Sequence, residues 1–130
     1  MDDETIRQIP GAAELVDWFG HFPTFHDGHL TGLSIDVDGR GSMRLDGFQT
    51  TDQKDEKGYF ILDKRFSCTM ILEGIRSVEL SEFKPGSATL FEVEVTYVED
   101  VFEIIFGSSY GVEGRIRTAN LRIEFEPLLQ

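Results

Sequence analysis

The hydrophobic pattern changes period once along the chain, dividing it into a short helical start and a long strand-forming remainder. Leu15, Trp18 and Phe19 are spaced i, i+3 and i+4, which places them on one face of a helix over residues 12–19. Pro10 and Gly11 precede that helix and Gly20 follows it, the punctuation expected at helix ends. So short a segment is marginal alone, so it is predicted to pack on a sheet. Residues 1–9 are polar apart from Ile6 and Ile9 and are expected to be flexible.

From Leu33 the period is two. Leu33, Ile35 and Val37 alternate with Ser34, Asp36 and Asp38, and after the turn residues Asp38-Gly39-Arg40-Gly41, Met43 and Leu45 alternate with Ser42, Arg44 and Asp46. This predicts a β-hairpin with one wet face. Residues 49–58 hold no apolar side chain and read as an exposed, mobile loop. Further strands are expected at residues 59–62 and at 66–72, the latter with Phe66, Cys68, Met70 and Leu72 inward. A short one with Val78 and Leu80 then runs to a Lys84-Pro85-Gly86 turn. Phe91, Val93, Val95 and Tyr97 are predicted inward, with Glu92, Glu94 and Thr96 outward. Phe102, Ile104 and Phe106 face Val101, Glu103 and Ile105 across a strand apolar on both sides, hence covered. Leu121, Ile123 and Phe125 form the last inward set. Ile116 has the opposite parity, which predicts a break or bulge near Ala119-Asn120, or two separate strands. The expected fold is a single α+β, mainly β domain over 1–130. It is an antiparallel curved sheet or sandwich of about seven to eight strands with one N-terminal helix packed on it.

Composition narrows the function classes. With 130 residues, 40% of them hydrophobic, the chain can bury a real core. Its formal net charge is -12, and the excess is shared: 7 basic and 13 acidic side chains in residues 1–65, 5 and 11 in residues 66–130. Such a surface repels phosphate backbones and anionic lipid alike, so neither nucleic acid nor membrane is an expected partner. It would attract a basic one. A lone cysteine, Cys68, excludes an internal disulfide framework. The acidic start Met1-Asp2-Asp3-Glu4 is unlike a secretory signal, so the cytoplasm is the expected compartment. Apolar runs are far shorter than the roughly 20 residues of a spanning helix.

The densest polar constellation gathers all three histidines, His21, His26 and His29, with Asp27 between the last two. Imidazole and carboxylate can bind a transition metal, which makes His26, Asp27 and His29 candidate ligands, yet no second His or Cys cluster completes a closed site. The alternative is that Phe22 and Phe25 anchor this connection to the core while His26 or Asp27 bonds backbone groups. Cys68 shares the inward parity of Phe66 and Met70 and reads as an inert thiol. Ser108-Ser109 lacks the surroundings of a nucleophile elbow or a phosphate loop. Glu92 with Glu94, and Glu124 with Glu126, share strand faces. Paired carboxylates can act on glycosides, but the same spacing is what a solvated or partner-facing strand produces. Arg115 and Arg117 are expected to pair with these glutamates across strands.

Residues 18–35 carry an aromatic-rich helix containing Trp18, then Phe25-His26-Asp27-Gly28, then an apolar strand. In this the chain resembles the immunity protein 50 family of bacterial polymorphic-toxin systems, in which a Phe-His-Asp motif opens a strand. Residues 107–114 and the strand from Leu121 to Phe125 resemble that family's glycine-rich turn and terminal strand. His29 departs from it, standing where an acidic residue is common. The resemblance implies a non-catalytic inhibitor, without cofactor, that sequesters a cognate toxin, with Trp18, Phe25 and His26 as motif residues. Charge points the same way. Asp27, Glu92 and Glu94 are the residues expected to meet a basic partner. Two other readings stand beside this one. The first is a small hydrolase or isomerase using His26 and Asp27 in a pocket, and the second a homo-oligomeric sheet protein joined through an unpaired strand edge.

Overall fold

The structure is a computed structural model that describes residues 3–86 and 88–128. Two short helices, α1 (Asp3–Arg7) and α2 (Ala12–Phe19), precede six strands among the described residues. These are β1 (His29–Ile35), β2 (Arg40–Lys54), β3 (Phe60–Ser81), β4 (Ala88–Val98), β5 (Val101–Tyr110) and β6 (Glu113–Pro127). All neighbours are antiparallel, and the sheet closes on itself in the order β1-β2-β3-β6-β5-β4. The chain is thus α+β and mainly β, as its alternation indicates.

Three expectations are corrected in detail. The strands number six among the described residues, because the segments expected at 59–62, 66–72 and 78–80 merge into one strand, β3, which begins at Phe60. Its left-handed residues Lys64 (φ 49) and Gly74 (φ 72) bend the backbone while the ladder continues on either side. Curvature of this kind closes a barrel rather than leaving an open sheet or a sandwich. Residues 49–54 are strand, not loop: β2 runs to Lys54, and only a tight turn around Asp55 separates it from β3. There the Asp55 carboxylate accepts from the amides of Lys57 and Tyr59 at 2.9 and 3.0 Å. The polarity of the segment marks a ribbon wet on both faces. Residues 3–7 form α1, held by half-buried Ile6 and buried Ile9, whereas Met1 and Asp2 lie outside the described residues.

Inward parity holds where the ladder is regular. Phe66, Cys68, Met70, Leu72, Met43, Leu45 and Ile104 are all fully buried. It fails at bulges and turns. Register shifts on either side of Leu90 turn that residue inward and leave Phe91 57% exposed, contrary to the simple alternation. Ile35 and Val37 are exposed because β1 shifts register between Leu30 and Gly32, and the turn already begins at Asp36. β6 is a single strand, not two, whose inward parity changes between Thr118 and Leu121, at the position where the alternation pointed to a break or bulge. Opposite Ala119 stands Gly74, and a Cβ there would lie 3.0 Å from that of Ala119.

Helix α2 packs against β6. Ala12, Leu15 and Phe19 are buried, and half-buried Trp18 lies edge-on to Phe66 at 5.8 Å and beside Phe125 at 5.7 Å. Each such bulky side chain contributes about 1.5–3 kcal/mol on burial. The amide of Ile123 donates to the Pro10 carbonyl at 2.8 Å. Gly11 (φ 86) permits this approach, since a Cβ at that position would stand 1.9 Å from the Ile123 carbonyl oxygen.

Candidate functional site

The histidine segment lies at the weakest joint of the barrel. Among the described residues β1 and β4 pair only at His29 with Thr89 and Leu30 with Ala88, and the segment before β1 completes the closure. Asp27 and Val93 donate their amides to the carbonyls of Leu90 and Thr24 at 3.0 and 2.8 Å, and Leu90 donates to Gly28 at 2.9 Å. The path needs two left-handed residues, Phe25 (φ 61) and Asp27 (φ 63). It also needs Gly28, where a Cβ would meet the Asp46 carbonyl oxygen at 2.3 Å. Phe25 is buried against Phe66, ring centroids 5.7 Å apart.

His26 belongs to this stitching. Its Nδ1 lies 2.8 Å from the Phe91 carbonyl oxygen, so that nitrogen carries the proton and donates. Its Nε2 is 3.5 Å from Asp27 Oδ2, and the two side chains are 65% and 68% exposed. A general base in a pocket needs enclosure around the reacting atoms. This imidazole faces solvent instead. His21 and His29 are also exposed, His21 lying edge-on to Phe19 at 5.0 Å. Among the described residues, no three His, Cys, Asp or Glu side chains are grouped to hold a metal ion. Burial pushes the Cys68 thiol up to about 12, so it is protonated and inaccessible at neutral pH.

The face with a chemical character of its own lies on the outside of β3, β6, β5 and β4. Cross-strand register lines up Glu79 with Arg115, Arg115 with Ile105, and Ile105 with Glu94. One step along, Ser81 opposes Glu113 and Gly107 opposes Glu92. These rows border an open groove of about 660 Å³. Glu79, Glu92, Glu94 and Glu113 stand around it, with Leu80, Phe91 and Ile105 between them. A Cβ on Gly107 would meet nothing within 4 Å, so the groove is open at that point. Among the described residues Arg115 contributes the only lining cation, and its Nε is already 3.8 Å from Glu103 Oε1. Arg117 lies 3.8 Å from the other oxygen of the same carboxylate.

Of the residues singled out by sequence, Glu92 and Glu94 come together here, whereas Asp27 lies at the seam and does not line the groove. Glu124 and Glu126 are elsewhere, opposite Thr69 and Ser67 on the β3–β6 ladder. Arg115 and Arg117 pair with Glu103 rather than with the four glutamates expected, because β5 and not β4 is the neighbour of β6. Glu79, Glu113, Leu80 and Phe91 escaped sequence reasoning. Simple alternation places Phe91 inward, and only the register shifts around Leu90 bring it to the surface. The rest needed the register too.

Fold and surface together define a class: a closed six-stranded antiparallel barrel with a helix packed against it and an acidic, apolar-floored groove on its exterior. No protein-family model matches the chain, and neither a curated protein nor a solved structure matches it. Among the described residues no helix is long and apolar enough to cross a membrane.

Proposed function

We propose that the protein is a non-catalytic binding protein of the cytoplasm that captures a basic protein partner, in the manner of an immunity protein sequestering its cognate toxin. One observation carries this reading: among the described residues, the groove gathers four carboxylates from three strands around exposed Leu80 and Phe91, with its one lining cation, Arg115, paired to Glu103. Exposed carboxylates beside solvated apolar side chains do no work for the fold, since surface pairs contribute only about 0–1 kcal/mol. They do suit association. A concentrated negative potential steers a basic protein and raises its on-rate, while apolar contacts slow its release. The resemblance around Phe25-His26-Asp27 supports the toxin-sequestering form of the reading, with those residues holding the scaffold rather than touching the partner.

The test is affinity capture from the source cell with two baits, the native chain and the Glu92→Gln/Glu94→Gln double variant. The native bait is expected to retain a basic protein at low salt, the variant less of it, and high salt to release it from both. Retention of no basic protein by the native chain at either salt would overturn the reading.

A further inference from the structure

A second groove adjoins the acidic one and differs from it in chemistry. It holds about 340 Å³ between β1 and the turn after β3. Leu33, Ile35, Leu80, Phe83 and Val112 contribute its apolar walls, and among the described residues no charged side chain lines it. Phe83 is 72% exposed, and Leu80 and Ile35 are 47% and 40% exposed, which is unusual for side chains of that size on a free surface. Leu80 borders both grooves, so the two are parts of one continuous surface.

We infer that the apolar groove is the anchor pocket of the same interface, and that it takes a bulky apolar side chain flanking a basic stretch of the partner. This rests on the binding role proposed above and names what the partner must carry. The acidic rim fixes the sign of the flanking charge, and the uncharged walls fix the nature of the inserted side chain. Interfaces concentrate their affinity in such an apolar centre, while the charged rim governs encounter rate. A second copy of the chain fits less well. Each copy carries a formal charge of -12, and seating one on this surface would bring like charge to the carboxylate rim. An edge of β1 also runs beside the groove: among the described residues β1 pairs with β4 only through His29 and Leu30. That edge offers backbone groups to the partner segment.

The probes are two synthetic peptides, six lysines with a tryptophan at each end and the same peptide with serine at each end. Binding is followed by isothermal calorimetry and by backbone amide shifts. The tryptophan peptide is expected to bind about tenfold more tightly and to move the amides of Leu33, Phe83 and Val112, which the serine peptide leaves in place. Phe83→Ser, at an exposed position, should erase the difference. Glu92→Gln/Glu94→Gln should weaken both peptides alike. Equal affinity of the two peptides, or no effect of Phe83→Ser on their difference, overturns the anchor while the acidic surface stands. Binding of neither peptide overturns both. A dimer seen in sedimentation that Phe83→Ser dissolves would overturn the anchor by giving the groove to a second copy.

Discussion

The barrel has two regions rich in aromatic and acidic side chains, and they are built on opposite principles. At the seam and under α2, Phe25, Phe66, Trp18 and Phe19 pack ring against ring, 5.3–6.3 Å apart, with Gly11 and Gly28 letting backbones approach. Polar groups there face one another: His26 donates to Phe91, and the amides of Asp27 and Val93 are taken up by Leu90 and Thr24. On the outer face of β3, β6, β5 and β4, Phe91 and Leu80 are exposed, as are Glu79, Glu92 and Glu94, and Glu113 is half-buried beside them. One region is satisfied from within. The other leaves its apolar and acidic side chains to solvent, which is why the proposed function is placed on the glutamates and not on the histidine motif.

Substitutions should separate the two regions. Phe66→Ala, at a fully buried ring touching three others, is expected to cost about 3–5 kcal/mol in urea denaturation. Gly28→Ala should cost about 1–3 kcal/mol, because its Cβ would overlap the Asp46 carbonyl, and thermal melting would register it. The Cys68 thiol adds a pH signature. The fold holds its proton up to about 12 whereas an exposed thiol releases it near 9.0. The folded state therefore binds the proton more tightly, so this stabilisation is complete below pH 9.0 and is lost as pH rises toward 12, at about 1.4 kcal/mol per unit. Denaturation midpoints across that range should fall, and less so in Cys68→Ala.

His26→Ala comes next, removing the bond to Phe91 and costing about 0.5–1.5 kcal/mol while leaving basic-peptide binding intact. A loss of binding with unchanged stability would reverse the assignment of the seam to structure. The smallest effect on folding is expected from Glu92→Gln with Glu94→Gln, within about 0.5 kcal/mol by melting, because both side chains are exposed. Their effect should be on association instead.

How much of this was legible beforehand depends on the distance over which the signal acts. Period two over Phe66, Cys68, Met70 and Leu72, and again over Phe102, Ile104 and Phe106, marked core positions because a regular strand carries its burial code locally. The parity change near Ala119-Asn120 was equally local. Closure was not, since it follows from bends at Lys64 and Gly74 and, among the described residues, from two residue pairs between β1 and β4. Phe91 misled for a related reason: bulges around Leu90 shift register without any mark in the hydrophobic alternation. The ribbon at 49–54 was hidden because a strand wet on both faces has the polarity of a loop. The groove was half legible. Glu92 and Glu94 share a strand, but Glu79 and Glu113 join them only through the β3–β6, β5–β6 and β4–β5 pairings.

The most direct test is the stopped-flow association rate of the tryptophan-ended lysine peptide as a function of salt, measured on three proteins. These are the native chain, a groove variant with Glu79, Glu92, Glu94 and Glu113 changed to glutamine, and a control that neutralises Asp52, Glu56, Glu124 and Glu126 instead. The native rate should fall steeply with salt. The control should largely keep that rate and its salt dependence, and the groove variant should lose most of both. Equal losses in the two variants would contradict the account, since the attraction would then belong to the total charge and not to this surface.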